Sequence, residues 1–129
     1  MKQMKLKNII NNIFIKYGLS KSHSKICTDA LINAELVGAS SHGLSRLKMY
    51  CDRISQKVIN PKAIIKIKKI SQSIAHVNAN NSIGFVAADT AIKIAINNAK
   101  KTGIGLVAVK NSGHYGLSGY YAEQAVKKG

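Results

Sequence analysis

Residues Gly103–Tyr121 run Gly-Ile-Gly-Leu-Val-Ala-Val-Lys-Asn-Ser-Gly-His-Tyr-Gly-Leu-Ser-Gly-Tyr-Tyr, and the fold class is read outward from them. Ile104 to Val109 is a short, nearly unbroken apolar run rich in β-branched residues. It is too short for an independent helix and reads as a strand covered on both faces. Lys110-Asn111-Ser112-Gly113 ends that strand with turn formers, and glycines return at 116 and 119. Ser118 can then cap a helix carrying Tyr121, Ala125 and Val126. His114 therefore falls in a glycine-rich loop just past the carboxyl end of a buried strand, which is where ligands bind in open α/β sheets.

Upstream, a long helix from about Ile83 to Lys101 is expected to bury Val86, Ala87, Thr90, Ala91, Ile94 and Ala95. Lys100 and Lys101 sit at its negative end, and Gly103 stops it. Before that helix, Ala63, Ile65 and Ile67 alternate with Lys66 and Lys68, the pattern of a strand with one wet face. The Ser71-Gln72-Ser73 turn leads to a second strand, Ile74 to Val77, and Asn78–Ser82 is a loop. Strand, helix and strand at these lengths predict a right-handed βαβ crossover with a parallel pair. Asn60-Pro61 marks a junction, because proline drives its predecessor out of helical geometry. On its amino-terminal side, Leu6, Ile9, Ile10, Ile13, Phe14 and Tyr17 form one helical stripe that Gly18 ends. A second helix from Ser20 or Ser22 buries Ile26, Cys27, Ala30, Leu31, Ala34 and Val37. A third follows the Ala39–Gly43 break through Leu44, Leu47, Tyr50, Cys51 and Ile54. The expected architecture is α/β: a helical subdomain over 1–60, then over 61–129 a partial, truncated α/β domain holding the start of a mixed sheet with a βαβ unit. No G-x-G-x-x-G follows a strand, so this is not the Rossmann fingerprint.

The formal charge is +15, from 20 Lys and Arg against 5 Asp and Glu. Such a balance ordinarily suggests nucleic acid or an anionic membrane. Here the charge is spread along the whole chain and is nearly all lysine, with Arg46 and Arg53 the only arginines. Aromatics make up 5% of residues and do not alternate with basic ones, so no stacking platform for single strands is visible. A solvated basic surface is favoured over a nucleic-acid site. Cys27 and Cys51 form neither a metal pair nor a C-x-x-C, and read as small buried hydrophobes in a reducing compartment. No secretory signal is seen, and no run approaches the ~20 apolar residues of a membrane span. The expectation is a cytoplasmic protein with no metal, no nucleic acid and no membrane partner.

Two polar constellations stand out. In Ser41-His42-Gly43-Leu44-Ser45-Arg46, Arg46 lies four residues after His42, so both side chains can overhang a helix start near Gly43. An imidazole for acid/base work, a serine hydroxyl to orient it and an arginine able to grip a carboxylate bidentately make a coherent set. The plainer reading is a serine cap with His42 and Arg46 exposed. The second constellation is Asn111-Ser112-Gly113-His114-Tyr115-Gly116, read either as a catalytic loop or as a polar loop with a surface histidine. Neither has an acid placed for a hydrolytic triad. His23 and His76 read as incidental.

Together, Ser41-His42-Gly43-x-x-Arg46 with Tyr50, the apolar run after Gly103, Asn111-Ser-x-His114-Tyr-Gly and Gly119-Tyr-Tyr-Ala-Glu resemble the type-2 malate/L-lactate dehydrogenase family, from about residue 5 to the last residue. The resemblance implies a non-Rossmann nucleotide fold and a hydride transfer between NAD or NADP and C2 of a 2-hydroxy or 2-oxo acid. It implies that His42 is the proton donor/acceptor of the SHG motif, that Ser41 orients it and that Arg46 holds the substrate carboxylate. His114 matches the loop histidine given the acid/base role in other members, and both histidines stay candidates. A homodimer is implied for the full-length enzyme. Lys48 stands where many relatives have proline, and Asn78-Ala79 where many carry Asp-Gly. Members are much longer, so the chain is expected to be an amino-terminal part that is inactive by itself. An inactive remnant and a basic nucleic-acid-binding adaptor are the alternatives.

Overall fold

A computed structural model describes residues 2–129. The chain runs α1 (Lys2–Lys16), α2 (Lys21–Leu36), two short 3₁₀ turns (Ser40–His42 and Leu44–Arg46), α3 (Leu47–Ser55), β1 (Lys66–Lys69), β2 (Ile74–Asn78), α4 (Gly84–Thr102), β3 (Leu106–Lys110) and α5 (Ser118–Val126). The sheet is mixed, in the order β1-β2-β3. β1 lies antiparallel to β2 with Lys66 opposite Asn78. β2 and β3 are parallel, with Ile74 opposite Leu106 and Asn78 opposite Lys110. The expected βαβ unit is therefore β2-α4-β3. Among the described residues no helix is long and apolar enough to cross a membrane.

One hydrophobic cluster joins the helical region to the sheet region. Ile10 and Phe14 of α1, Cys27, Ala30 and Leu31 of α2, Tyr50 and Ile54 of α3, and Ile83, Phe85 and Val86 at the start of α4 all belong to it. Phe14 and Phe85 are fully buried, and each side chain so removed from water is worth about 1.5–3 kcal/mol. Ser20 caps α2 as its position suggests, accepting the His23 amide, which satisfies one of the donors a helix start leaves free. Gly18 (φ +97°) and Gly103 (φ +82°) take the left-handed conformation at the ends of α1 and α4, where a side chain would cost backbone strain.

Several details differ from the sequence reading. β3 is not covered on both faces: Leu106 and Val109 are exposed, because among the described residues nothing packs over them on the faces of the sheet. β1 begins at Lys66 and is exposed along its length, and Ile67, expected to face inward, is open. α3 starts only at Leu47, after the two 3₁₀ turns, and no serine caps it. Ser118 does not cap α5 either; it is the first helical residue, and its hydroxyl pairs with that of Tyr115 at 3.2 Å. Val37 and Ile9 are exposed, and Thr90, Ala91, Ile94 and Ala95 are only half-buried. In α1, α2 and α4 the expected stripe exists, but among the described residues its outer part is only partly covered.

Candidate active site

The site forms where α3, the 40–46 turns and the loop after β3 meet. The ends of β2 and β3 are tied together before that loop departs. The Ala79 amide donates to the Lys110 carbonyl at 2.9 Å and the Asn81 amide to the Asn111 carbonyl at 2.8 Å. Asn78 Oδ1 accepts from both the Asn80 amide and the Asn111 side-chain amide. Asn111 turns the chain in the left-handed region (φ 53°), which asparagine tolerates better than most residues.

The loop then lies on α4 and α3. Gly84, the first residue of α4, packs so closely that an added Cβ would strike the carbonyl oxygen of His114 and fall 2.6 Å from that of Gly113. Gly116 (φ +81°) sits over Phe85, where an added Cβ would lie 2.5 Å from ring atom Cε1. Phe85 in turn backs Tyr50, ring centroid to ring centroid 4.7 Å. The Tyr121 hydroxyl donates to the Tyr115 carbonyl at 2.8 Å and fastens the loop's other end.

This packing brings the two sequence-distant histidines together. The rings of His42 and His114 stack with centroids 5.8 Å apart and planes 25° from parallel. Ser41 Oγ lies 2.9 Å from His42 Nδ1, and a hydroxyl there can serve either tautomer. The exposed Arg46 uses Nε to donate to the Ser41 carbonyl at 2.7 Å. Among the described residues no protein group is hydrogen-bonded to its two terminal nitrogens, which leaves them able to meet a carboxylate.

His114 is the more constrained imidazole. Its Nδ1 is 2.6 Å from the buried Tyr50 hydroxyl and also receives the Gly116 amide at 3.3 Å. An amide N–H only donates, so the Nδ1 lone pair faces it and the ring proton of neutral His114 sits on Nε2. Burial holds the His114 pKa below the ordinary imidazole value, and the positive charges of His42, Arg46 and Arg53 add to the effect. Burial likewise raises the pKa of Tyr50 well above the usual phenol range, so its hydroxyl keeps its proton.

Tyr50 was legible from the sequence as a core position of α3 and as part of the resemblance, with no role in the site given to it. The signal for more was chemical: a buried phenol must find a partner for its hydroxyl. His23 lies in the first turn of α2 and His76 faces outward from β2, each away from this cluster. Beside the loop a groove of about 510 Å³ runs between α4 and β3, lined by Ala88, Ala91, Ile92, Val107, Ser112 and Tyr115 among others.

The whole chain, residues 1–129, matches the family model for malate/L-lactate dehydrogenase. The malate dehydrogenase of Pyrococcus abyssi is 43% identical over 122 residues, which cover 95% of this chain and 34% of that protein. The ureidoglycolate dehydrogenase (NAD(+)) of Escherichia coli strain K12 is 30% identical over 124 residues, 96% of this chain and 36% of that one. The solved structure of malate dehydrogenase from Pyrococcus horikoshii OT3 superposes with a TM-score of 0.94 at 36% identity, covering 98% of this chain and 36% of that chain. The chain thus spans about a third of the length of the relatives it matches. With a match along its full length, it belongs to the malate/L-lactate dehydrogenase family.

Proposed function

We propose that this chain supplies the acid-binding and proton-handling part of an NAD(P)-dependent dehydrogenase acting on 2-hydroxy or 2-oxo acids. The observation that carries the reading is the meeting of His42 and His114, 72 positions apart in sequence, beside Arg46. Two imidazoles and a guanidinium around one small space suit a substrate with an anionic carboxylate next to an oxygen whose proton must move.

In this reading Arg46 binds the carboxylate through its terminal nitrogens, which brings C2 and its oxygen to the nitrogen-bearing edges of the two imidazoles. His114 is neutral with a proton on Nε2, so it donates a hydrogen bond to the C2 oxygen and stays fixed behind it. It cannot pass that proton on and be refilled from Nδ1, because the buried Tyr50 hydroxyl does not ionise readily. His42 takes the hydroxyl proton when the alcohol is oxidised and returns it when the ketone is reduced. The charges already gathered there disfavour a second proton on His114. The nicotinamide, when bound, supplies the hydride acceptor. The groove beside Tyr115, lined mainly by apolar side chains with Ser112, Tyr115 and Ser118 among them, would hold the flat face of such a ring. It offers no basic side chain to a pyrophosphate.

Titration of the 129-residue chain with L-malate, oxaloacetate, succinate and chloride, followed by NMR, tests the reading. Malate and oxaloacetate should move the His42, His114 and Arg46 side-chain signals together, and Arg46→Lys should weaken the effect. Equal responses to succinate or chloride would reduce the site to a basic patch that attracts anions.

A further inference from the structure

The segment that carries Ser41, His42 and Arg46 is folded around a carboxylate with no part in the chemistry above. Glu35, in the last turn of α2, accepts the Leu44 amide on Oε1 at 2.7 Å and the Ser40 hydroxyl on Oε2 at 3.0 Å. Those donors sit on the two 3₁₀ turns flanking Gly43. Gly43 itself is buried against the same group: an added Cβ would strike Oε1 and fall 2.7 Å from the carboxylate carbon. Ser45 Oγ, donating to the Ser40 carbonyl at 2.7 Å, and Arg46 Nε, donating to the Ser41 carbonyl at 2.7 Å, close the two turns on each other.

Charge sets Glu35 apart from the other acids. Asp29, Asp52, Asp89 and Glu123 each pair with lysine at 2.6–3.1 Å. Among the described residues Glu35 is the carboxylate with no lysine or arginine at ion-pair distance, in a chain with 20 of them. Its two oxygens are committed to a backbone amide and a hydroxyl. Hydrogen bonds to an ionised acceptor are roughly twice as strong as neutral ones, so this arrangement fixes a backbone path.

We propose that Glu35 is a positioning residue that holds the two turns about Gly43, so that His42 stands against His114 and Arg46 stays beside them. The functional part of this inference rests on the dehydrogenase reading; the geometric part does not.

Amide hydrogen exchange and histidine titration by NMR, on the 129-residue chain and its Glu35→Ala and Glu35→Gln variants, test it. In Glu35→Ala the Leu44 amide should exchange about ten- to a hundredfold faster. The titration midpoint of His114 should rise as His42 leaves it, while the amides of Phe14 in α1 and Ala91 in the middle of α4 keep their protection. Glu35→Gln keeps an oxygen for the Leu44 amide and should restore most of both signals. Unchanged Leu44 exchange and His114 titration in Glu35→Ala would overturn the proposal. So would a protection loss shared equally by Phe14 and Ala91, or a glutamine variant no better than alanine. These readouts need no substrate, so a wild-type chain that ignores 2-hydroxy acids would sink the dehydrogenase reading while leaving the positioning role measurable.

Discussion

Tyr50→Phe removes one oxygen from the centre of the site and leaves everything else in place. The Tyr50 ring is buried against Phe85, and phenylalanine fills the same volume, so no cavity opens. The loss is the 2.6 Å hydrogen bond to His114 Nδ1. A neutral hydrogen bond contributes about 0.5–1.5 kcal/mol net. His114 keeps the longer Gly116 amide bond at 3.3 Å, so its Nδ1 is not left bare and the cost should fall near 1 kcal/mol. For a chain of 129 residues that is a drop in Tm of about 3–5 °C. Thermal unfolding followed by circular dichroism reads this directly, and imidazole ¹⁵N spectra read the local effect. Neutral His114 should be the Nε2–H tautomer in the parent chain, with a broader mixture of tautomers in the variant. An unchanged Tm with an Nδ1–H tautomer in the parent would refute the reasoning, because Tyr50 would then be accepting a proton it is argued to donate.

Gly84→Ala should cost about 1–3 kcal/mol, because the new methyl meets backbone carbonyls of Gly113 and His114 that cannot swing away; urea unfolding measures the cost, and a loss of malate-induced shifts at His114 marks the displaced loop. Arg46→Lys should weaken malate binding on the order of ten- to a hundredfold by replacing a fork with a point charge, measured by the same titration. The pH dependence has a definite sign. Burial and the charges of His42, Arg46 and Arg53 lower the His114 pKa in the folded chain, so between that value and the unfolded ~6.5 the unfolded chain binds more protons. This contribution to stability is complete above pH ~6.5 and is lost as pH falls below it; the urea midpoint should drop between pH 7.5 and pH 5.5, and His114→Gln should flatten the drop. Leu106→Lys on the open β3 edge should raise the concentration at which the chain stays monomeric in sedimentation, since charge on an exposed edge opposes strand-to-strand pairing.

The helices and the β2-α4-β3 unit were legible because they rest on local signals. Periodicity placed α1, α2 and α4, and Gly18 and Gly103 marked the ends of two of them. Burial was less legible wherever it depends on a neighbour. The run Ile104–Val109 has the composition of a covered strand, yet Leu106 and Val109 are exposed, since among the described residues no layer packs over them. The 40–46 turns were hidden for a different reason. Their hydrogen bonds run to Glu35, on the preceding helix, and no short-range pattern announces a carboxylate that serves two turns at once. His42 and His114 could each be singled out by residue type, but not placed beside one another by composition or spacing. That meeting depends on Gly84 and Gly116 letting the loop lie flat on α4 and Phe85. In the sequence Gly116 read only as a turn former, and nothing singled out Gly84.

The most direct measurement uses a chimera in which residues 1–129 replace the matching third of the Pyrococcus horikoshii malate dehydrogenase, whose structure superposes at a TM-score of 0.94. A folded chimera should oxidise L-malate with a nicotinamide cofactor. His42→Gln should lower kcat about 10²–10⁴-fold, and Arg46→Lys should act mainly on KM. A folded chimera that turns over malate equally well with His42, His114 and Arg46 all replaced would show that these three side chains do not form the acid-binding and proton-handling site.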